Sequence, residues 1–251
     1  MISHLTPREQ KIIDLIMEDT LISVAELSGI LGVSQVTVRS DFQNLSEKGY
    51  LVKTEKGVLP AFHPAVIERE KSHYHEKERI ARYAASLVES GDTIMIEAGT
   101  TTSLIARFLF SKRDIHIVTN SALVLPYGRV HPSLHIVLLG GEFRPSTESF
   151  VGPVTITELA NFHVRLAFVG TDGFTVEKGL TTHLLEGAEV VRKMSEQSIE
   201  TVLLADSSKY GRAGFVKVLP IEKANTIVTD TSLDSDAAGR IQDLGIDLRL
   251  V

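Results

Sequence analysis

Apolar residues in the first fifty positions recur at helical spacing and are separated by short polar turns. Ile12, Leu15 and Ile16 fall at i, i+3 and i+4, and Val24, Leu27 and Leu31 at i, i+3 and i+7, so each set forms one buried stripe. Thr6-Pro7-Arg8-Glu9 combines a capping-box spacing with proline at the first helical position, and Ser23 with Glu26 repeats the box. Gly32 supplies the left-handed residue that ends a helix, and Ser34 is placed to cap the next one. On that third helix Val38, Phe42 and Leu45 face inward. After Gly49, Tyr50-Leu51-Val52 and Gly57-Val58-Leu59 are spaced to pair as a small hairpin.

Three helices followed by a hairpin describe a winged helix-turn-helix over residues 1–59. The outward face of the third helix carries Ser34, Gln35, Val36, Thr37, Arg39, Ser40, Gln43 and Asn44. These side chains suit a major groove: Arg, Gln and Asn for purine edges, Val36 for a thymine methyl, hydroxyls for phosphates. Charge changes the picture. Residues 1–57 hold six Lys or Arg against eight Asp or Glu, and the whole chain carries −6. Non-specific DNA affinity comes mostly from phosphate neutralisation, so one copy of this domain should bind weakly. Two copies on a palindrome double the contacts, which leads us to expect a homodimer or homotetramer on double-stranded operator DNA.

The remaining residues, 60–251, differ in pattern. Residues 60–75 lose apolar periodicity and contain two prolines, as a linker or short connecting helix would. His63, His73 and His75 lie there without a carboxylate or cysteine at ligand spacing, and no metal is expected. Residues 76–89 regain helical periodicity through Ile80, Ala84, Leu87 and Val88. From there, apolar runs of strand length alternate with helical stretches. Strands are expected at 93–96, 115–119, 134–139, 164–169, 201–205, 226–229 and 247–250, and helices at 104–110, 122–130, 187–196 and 234–244. Such alternation predicts an α/β domain, 76–251, with a mostly parallel sheet covered on both faces. The chain has no cysteine, no apolar run of membrane-spanning length and no secretory pattern, so the expectation is a cytoplasmic protein without disulfides.

Ligands of such sheets bind beyond the carboxyl ends of the strands. The first turn there is Glu97-Ala98-Gly99-Thr100-Thr101-Thr102, a glycine loop entering a helix with amides and hydroxyls suited to a phosphate. The next are Thr119-Asn120-Ser121, Gly140-Gly141 (where backbone can approach a ligand closely), Gly170-Thr171-Asp172-Gly173 and Asp206-Ser207-Ser208-Lys209. Anion donors and the Lys209 ammonium thus converge on one edge with the carboxylates of Glu97, Asp172 and Glu186. The carboxylates suit sugar hydroxyls, and the amides and lysine suit a phosphate.

Both halves resemble the DeoR family of bacterial regulators. Leu31 to Gly49 matches that family's L-G-V-S-x-x-T-[IV]-R-x-D-[LF]-x-x-L-x-x-x-G signature almost without gaps. Ser40 stands where a second arginine is usual, and Thr54-Glu55-Lys56-Gly57 where the wing usually ends in His-Gly-Gly-Ala. The family's sensor pattern is met by Glu76-Lys77-Glu78-Arg79-Ile80-Ala81, Gly99-Thr100-Thr101, Thr119-Asn120, Gly140-Gly141, Gly170 to Gly173, Gly179-Leu180-Thr181 with Glu186, and Asp206 to Lys209. Glu97 replaces the usual aspartate. The resemblance implies a sensor domain similar in fold to ribose-5-phosphate isomerase and the coenzyme A transferases. It implies no cofactor, and a repressor of a sugar-catabolism operon that a phosphorylated sugar releases from DNA. The rival expectation is a sugar-phosphate isomerase in which Glu186 is the general base and Asp172 and Lys209 hold substrate. A catalyst has no use for a groove-reading helix, which favours the regulator.

Overall fold

The computed structural model describes residues 5–54 and 57–251. The chain divides into two compact units, the first ending at Glu68 and the second running from Arg69 to Val251.

In the first unit, α1 (Pro7–Glu18), α2 (Val24–Leu31) and α3 (Gln35–Glu47) precede an antiparallel pair, β1 (Leu51–Thr54) and β2 (Gly57–Pro60). The caps form as their sequences require. Thr6 N donates to Glu9 Oε2 at 2.7 Å while Glu9 N donates to Thr6 Oγ1 at 3.2 Å, and Ser23 and Glu26 repeat the exchange. Gly32 ends α2 at φ 65°, a left-handed value that costs only glycine nothing. Ile12, Ile13, Ile16, Leu27, Val38, Leu45 and Leu51 close into one core. Two wing residues, Glu55 and Lys56, lie outside the described residues.

Helix α4 (Pro64–Lys71) lies where a linker or short helix was expected, and α5 (Tyr74–Ser86) follows it. The strands of the second unit begin with β3 (Thr93–Ile96), β4 (Ile115–Thr119) and β5 (Leu134–Leu138), then, after β6 (Glu142–Arg144) and β7 (Ser149–Val151), β8 (Val164–Val169). Beyond β9 (Gly173–Thr175) and β10 (Gly179–Thr182) come β11 (Ser198–Leu204), β12 (Val216–Leu219), β13 (Thr226–Thr229) and β14 (Asp247–Leu250). The main sheet has the order β14-β13-β11-β8-β3-β4-β5, and every pair in it is parallel. Its interior strand β3 is apolar on both faces. Ile94 and Ile96 enter one core with Ile80, Ala84 and Phe168, whereas Met95 enters another with Val118, Ala167 and Met194. Period-two alternation of wholly apolar residues is what a sheet sandwiched between layers requires.

Several expectations need correction. The stretch expected as a helix at 104–110 is a 3-10 helix, Thr102–Phe108. Residues 122–130 form a three-residue 3-10 turn and one α turn, α6 (Leu125–Gly128), because Pro126 has no amide to extend the ladder. Two additional small sheets, β6-β7 and β12-β10-β9, and the short helix α7 (Pro153–Leu159) were not foreseen. Helix α8 (Leu185–Glu196) and helix α9 (Ser235–Gln242) complete the unit.

Candidate functional site

The first site is a helix face. Val38, Asp41, Phe42 and Leu45 of α3 are buried, which leaves Ser34, Gln35, Val36, Arg39, Ser40, Gln43 and Asn44 exposed and Thr37 half-buried. Ser34 Oγ receives the Thr37 amide at 3.1 Å and so fixes the start of the helix. Val36 is 74% exposed although apolar, which suits a residue held for contact. Asp41 accepts two bonds from Arg8 of α1, Nε at 2.8 Å and Nη2 at 2.9 Å, and Lys48 Nζ meets Glu9 Oε1 at 2.6 Å. These ties lock α3 to α1. Gln43 is partly committed: its amide donates to Glu47 and its carbonyl accepts from Lys53 Nζ of β1. Lys53 therefore brings a cation to this face that the sequence reading did not include. A basic residue in the first strand of a hairpin following such a helix was the available signal.

The second site is the carboxyl edge of the main sheet, and its turns divide into groups that frame and groups that face. Asn120 frames: Oδ1 accepts from Ala98 N at 2.9 Å and Nδ2 donates to the Phe150 carbonyl at 3.1 Å. Ser121 is fully buried against Ser103, Oγ to Oγ 2.9 Å. Thr102 Oγ1 donates to Glu97 O at 2.7 Å, and Thr101 and Thr102 are buried, so of the three threonines only Thr100 is left half-exposed. Gly141 also differs from expectation. The close approach it permits is to its own chain, since an added Cβ would stand 2.6 Å from Val151 O and against Thr155, with φ at 139°. Gly140 N donates to Glu158 Oε2 at 2.7 Å, and Thr171 Oγ1 lies 2.8 Å from the carbonyls of Gly173 and Thr181.

Of the charged groups, Glu97 lies in electrostatic reach of Asp172 and Arg69. Half-buried Glu97 accepts the Gly170 amide at 3.1 Å. Loss of solvent, reinforced by the charge of Asp172, pushes its carboxyl up to about 8. At neutral pH it is then a donor that can meet an anion without repulsion. Asp172 accepts from Thr182 Oγ1 at 2.8 Å and His183 N at 2.9 Å. Lys209 follows Asp206, whose side chain caps the 3-10 turn Ser207–Lys209. Asp230 holds Ser207 from the neighbouring strand end, Oδ2 accepting its amide at 2.6 Å.

Three groups the sequence reading passed over complete the edge. Lys77 is buried; its Nζ donates to the Arg69 carbonyl. Burial pushes it down to about 8, in electrostatic reach of Asp206, Lys209 and Arg69. Arg69, also in reach of Glu97, donates to the Ser146 carbonyl in the β6-β7 turn. A lysine in register with Ile80, Ala81 and Ala84 on the inward stripe of α5 was a legible anomaly. Arg144, at the end of β6, pairs with Glu186 at 2.7 Å. Backbone bonding and Arg144 hold the Glu186 carboxyl below the usual carboxylate range. A general base near neutrality needs the opposite shift.

The matches to known proteins follow the same division. Residues 8–59 match the DeoR-like helix-turn-helix domain and residues 72–231 the DeoR C terminal sensor domain. The architecture is that of a DNA-binding regulator with an attached α/β sensor. The chain belongs to the DeoR family of transcriptional regulators, and it is a regulator rather than an enzyme. It is 32% identical to the HTH-type transcriptional regulator IolR of Bacillus subtilis over 91% of this chain and 92% of that one. It is 31% identical to the HTH-type transcriptional regulator GlpR of Haloferax volcanii over 95% of each. A ribose 5-phosphate isomerase from Methanocaldococcus jannaschii aligns with 55% of each chain at 19% identity and a TM-score of 0.41, too loose a likeness to bear on activity. Among the described residues no helix is long and apolar enough to cross a membrane.

Proposed function

We propose that the protein represses a sugar-catabolism operon from the cytoplasm and is released from its operator by a phosphorylated sugar. In this reading residues 1–59 read DNA, 60–75 link, and 76–251 sense. What supports it is Arg69 in electrostatic reach of both Glu97, whose carboxyl is pushed up to about 8 by burial, and Lys77, which in turn is in reach of Lys209 at the carboxyl edge of a parallel sheet. Cations and a neutral carboxyl favour a phosphate, while Asp172 and Glu186 suit sugar hydroxyls. The phosphate would lie over Gly99, Thr100 and Lys209, with Thr171 and Gly173 shaping the wall. Asn120, Ser121, Gly140, Gly141, Thr101 and Thr102 hold that wall in place.

The DNA-reading residues are Ser34, Gln35, Val36, Thr37, Arg39, Ser40, Gln43 and Asn44, with Lys53 added. Two copies, as a homodimer or within a homotetramer, present two such helices to a palindrome. Effector binding favours an arrangement in which the two helices no longer fit successive half-sites. Coupling of roughly 1–3 kcal/mol, about 5–150-fold in affinity, is typical for such linkage.

A thermal-shift screen of sugar phosphates and their unphosphorylated parents tests the sensor half directly. A ligand that binds only the folded state raises its melting temperature by mass action. Stabilisation by one phosphorylated sugar and not by its parent is the expected result. Equal stabilisation by sugar and sugar phosphate would remove the phosphate from the account.

A further inference from the structure

At the opposite end of the same sheet lies a cluster that the regulatory reading does not use. Asp114, His116 and His135 are all exposed, and one ligand atom from each lies within 4.8 Å of the others. Asp114 Oδ1 stands 3.4 Å from His116 Nε2 and 3.4 Å from His135 Nε2. We propose that these three side chains form a surface site for a divalent transition metal of the zinc class.

The backbone builds the cluster. His116 and His135 are direct partners in the register of β4 and β5, so their side chains leave the same face of neighbouring strands roughly 4.8 Å apart. Their rings stack with centroids at 4.7 Å and an interplanar angle of 20°. Asp114, immediately before β4, has φ 56°. Aspartate tolerates that left-handed value better than most residues, and here it turns the carboxylate back toward both imidazoles. Backbone bonds fix the frame: Ile115 N to Ser133 O at 3.0 Å and His116 N to Asp92 O at 2.9 Å.

The spacing fits tetrahedral coordination. With metal–nitrogen and metal–oxygen bonds of about 2.0–2.2 Å, the edge of a tetrahedron is about 3.3–3.6 Å, and both Asp–His separations, 3.4 Å, lie in that range. For both Nε2 atoms to reach one ion the stacked rings must turn toward each other about χ1 and χ2, which their exposure permits. Two neutral imidazoles and a carboxylate suit zinc, nickel or cobalt better than calcium or magnesium, which prefer oxygen ligands. The fourth position stays open to water or to a donor from outside the site. A bound ion would clip edge strand β5 to β4, far along the strands from the proposed effector loops.

The test uses the full chain without a polyhistidine tag, stripped with chelator and titrated with ZnCl2 by calorimetry. Co2+ serves as an optical probe, because tetrahedral cobalt absorbs far more strongly in the visible than octahedral cobalt. One saturable Zn2+ per chain and an intense cobalt band are expected. His116→Ala and His135→Ala should each weaken zinc by at least the roughly 10–100-fold that loss of an outer-shell partner typically costs. His163→Ala, at an exposed histidine elsewhere, should bind as wild type does. Circular dichroism checks that the variants fold. Absence of saturable zinc binding, or an isotherm unchanged by both His116→Ala and His135→Ala, overturns the proposal.

Discussion

Arg8 of the first helix grips Asp41 of the third through two parallel bonds, Nε to Oδ2 at 2.8 Å and Nη2 to Oδ1 at 2.9 Å. The carboxylate is buried, so it depends on this partner. Arg8 stands outside the α3 reading face, yet it sets the angle at which that face is presented. We expect Arg8→Ala to lower the melting temperature of the first unit and to weaken operator binding several-fold, with base preferences retained. Fluorescence anisotropy on matched operator variants separates this from a base-reading residue, whose loss changes preference at one position.

Arg39 is proposed as such a reader. It is exposed on the outward side of α3. Arg39→Ala should weaken operator binding by about 1–3 kcal/mol and relax selectivity at the base it contacts. A titration that leaves both affinity and selectivity unchanged would remove Arg39 from the reading set.

Gly141 tests the framework of the ligand edge. A methyl there would press on Val151 O, 2.6 Å away, and the φ of 139° adds backbone strain. Gly141→Ala should destabilise the sensor by roughly 1–3 kcal/mol or more, seen as a lower chemical-denaturation midpoint. Unchanged stability would mean that β7 moves aside freely.

Glu97 should make the sensor's stability depend on pH. Its carboxyl is raised from 4.5 to about 8, so the folded protein holds a proton that the unfolded chain has lost. That contribution to stability is complete below pH 4.5, declines as pH rises, and is gone above about 8. Half-buried Glu70, raised to about 7 by loss of solvent, acts in the same direction. Lys77 does not oppose them in this window, since its shift from 10.5 to about 8 matters only at higher pH. Melting temperature should fall between pH 5 and 8, and Glu97→Gln should flatten the profile. Effector affinity should also drop above pH 8, where Glu97 gains a charge and Lys77 loses one.

Much of this was legible in the sequence because it rests on local rules. The caps at Thr6, Ser23 and Ser34, the left-handed Gly32 and the inward stripe of α3 each follow from a few neighbouring residues. The strands of the main sheet showed as apolar runs of strand length, even where a polar residue such as His116, His135 or Arg165 interrupts them. The hairpin β6-β7 was not legible: its three-residue strands give no period to detect, and its pairing depends on Asn120 binding Phe150 O from thirty positions away. The roles of Thr102, Asn120 and Ser121 as supports were hidden for the same reason. Polar side chains in a turn look alike until their partners are known. Lys77 and Arg144 act at the edge through contacts that only the folded chain creates.

In the proposed regulation a sugar phosphate at the sensor edge loosens the grip on DNA. The direct measurement is release of a labelled palindromic operator, selected in vitro by the protein itself, as effector is added to wild type and to Lys209→Ala. The account predicts that the phosphorylated sugar releases wild-type protein and its parent sugar does not. Lys209→Ala should bind the operator equally well and need several-fold more effector to leave it. A phosphorylated sugar that binds the sensor without changing DNA affinity, or a variant that lets go at the wild-type concentration, would contradict it.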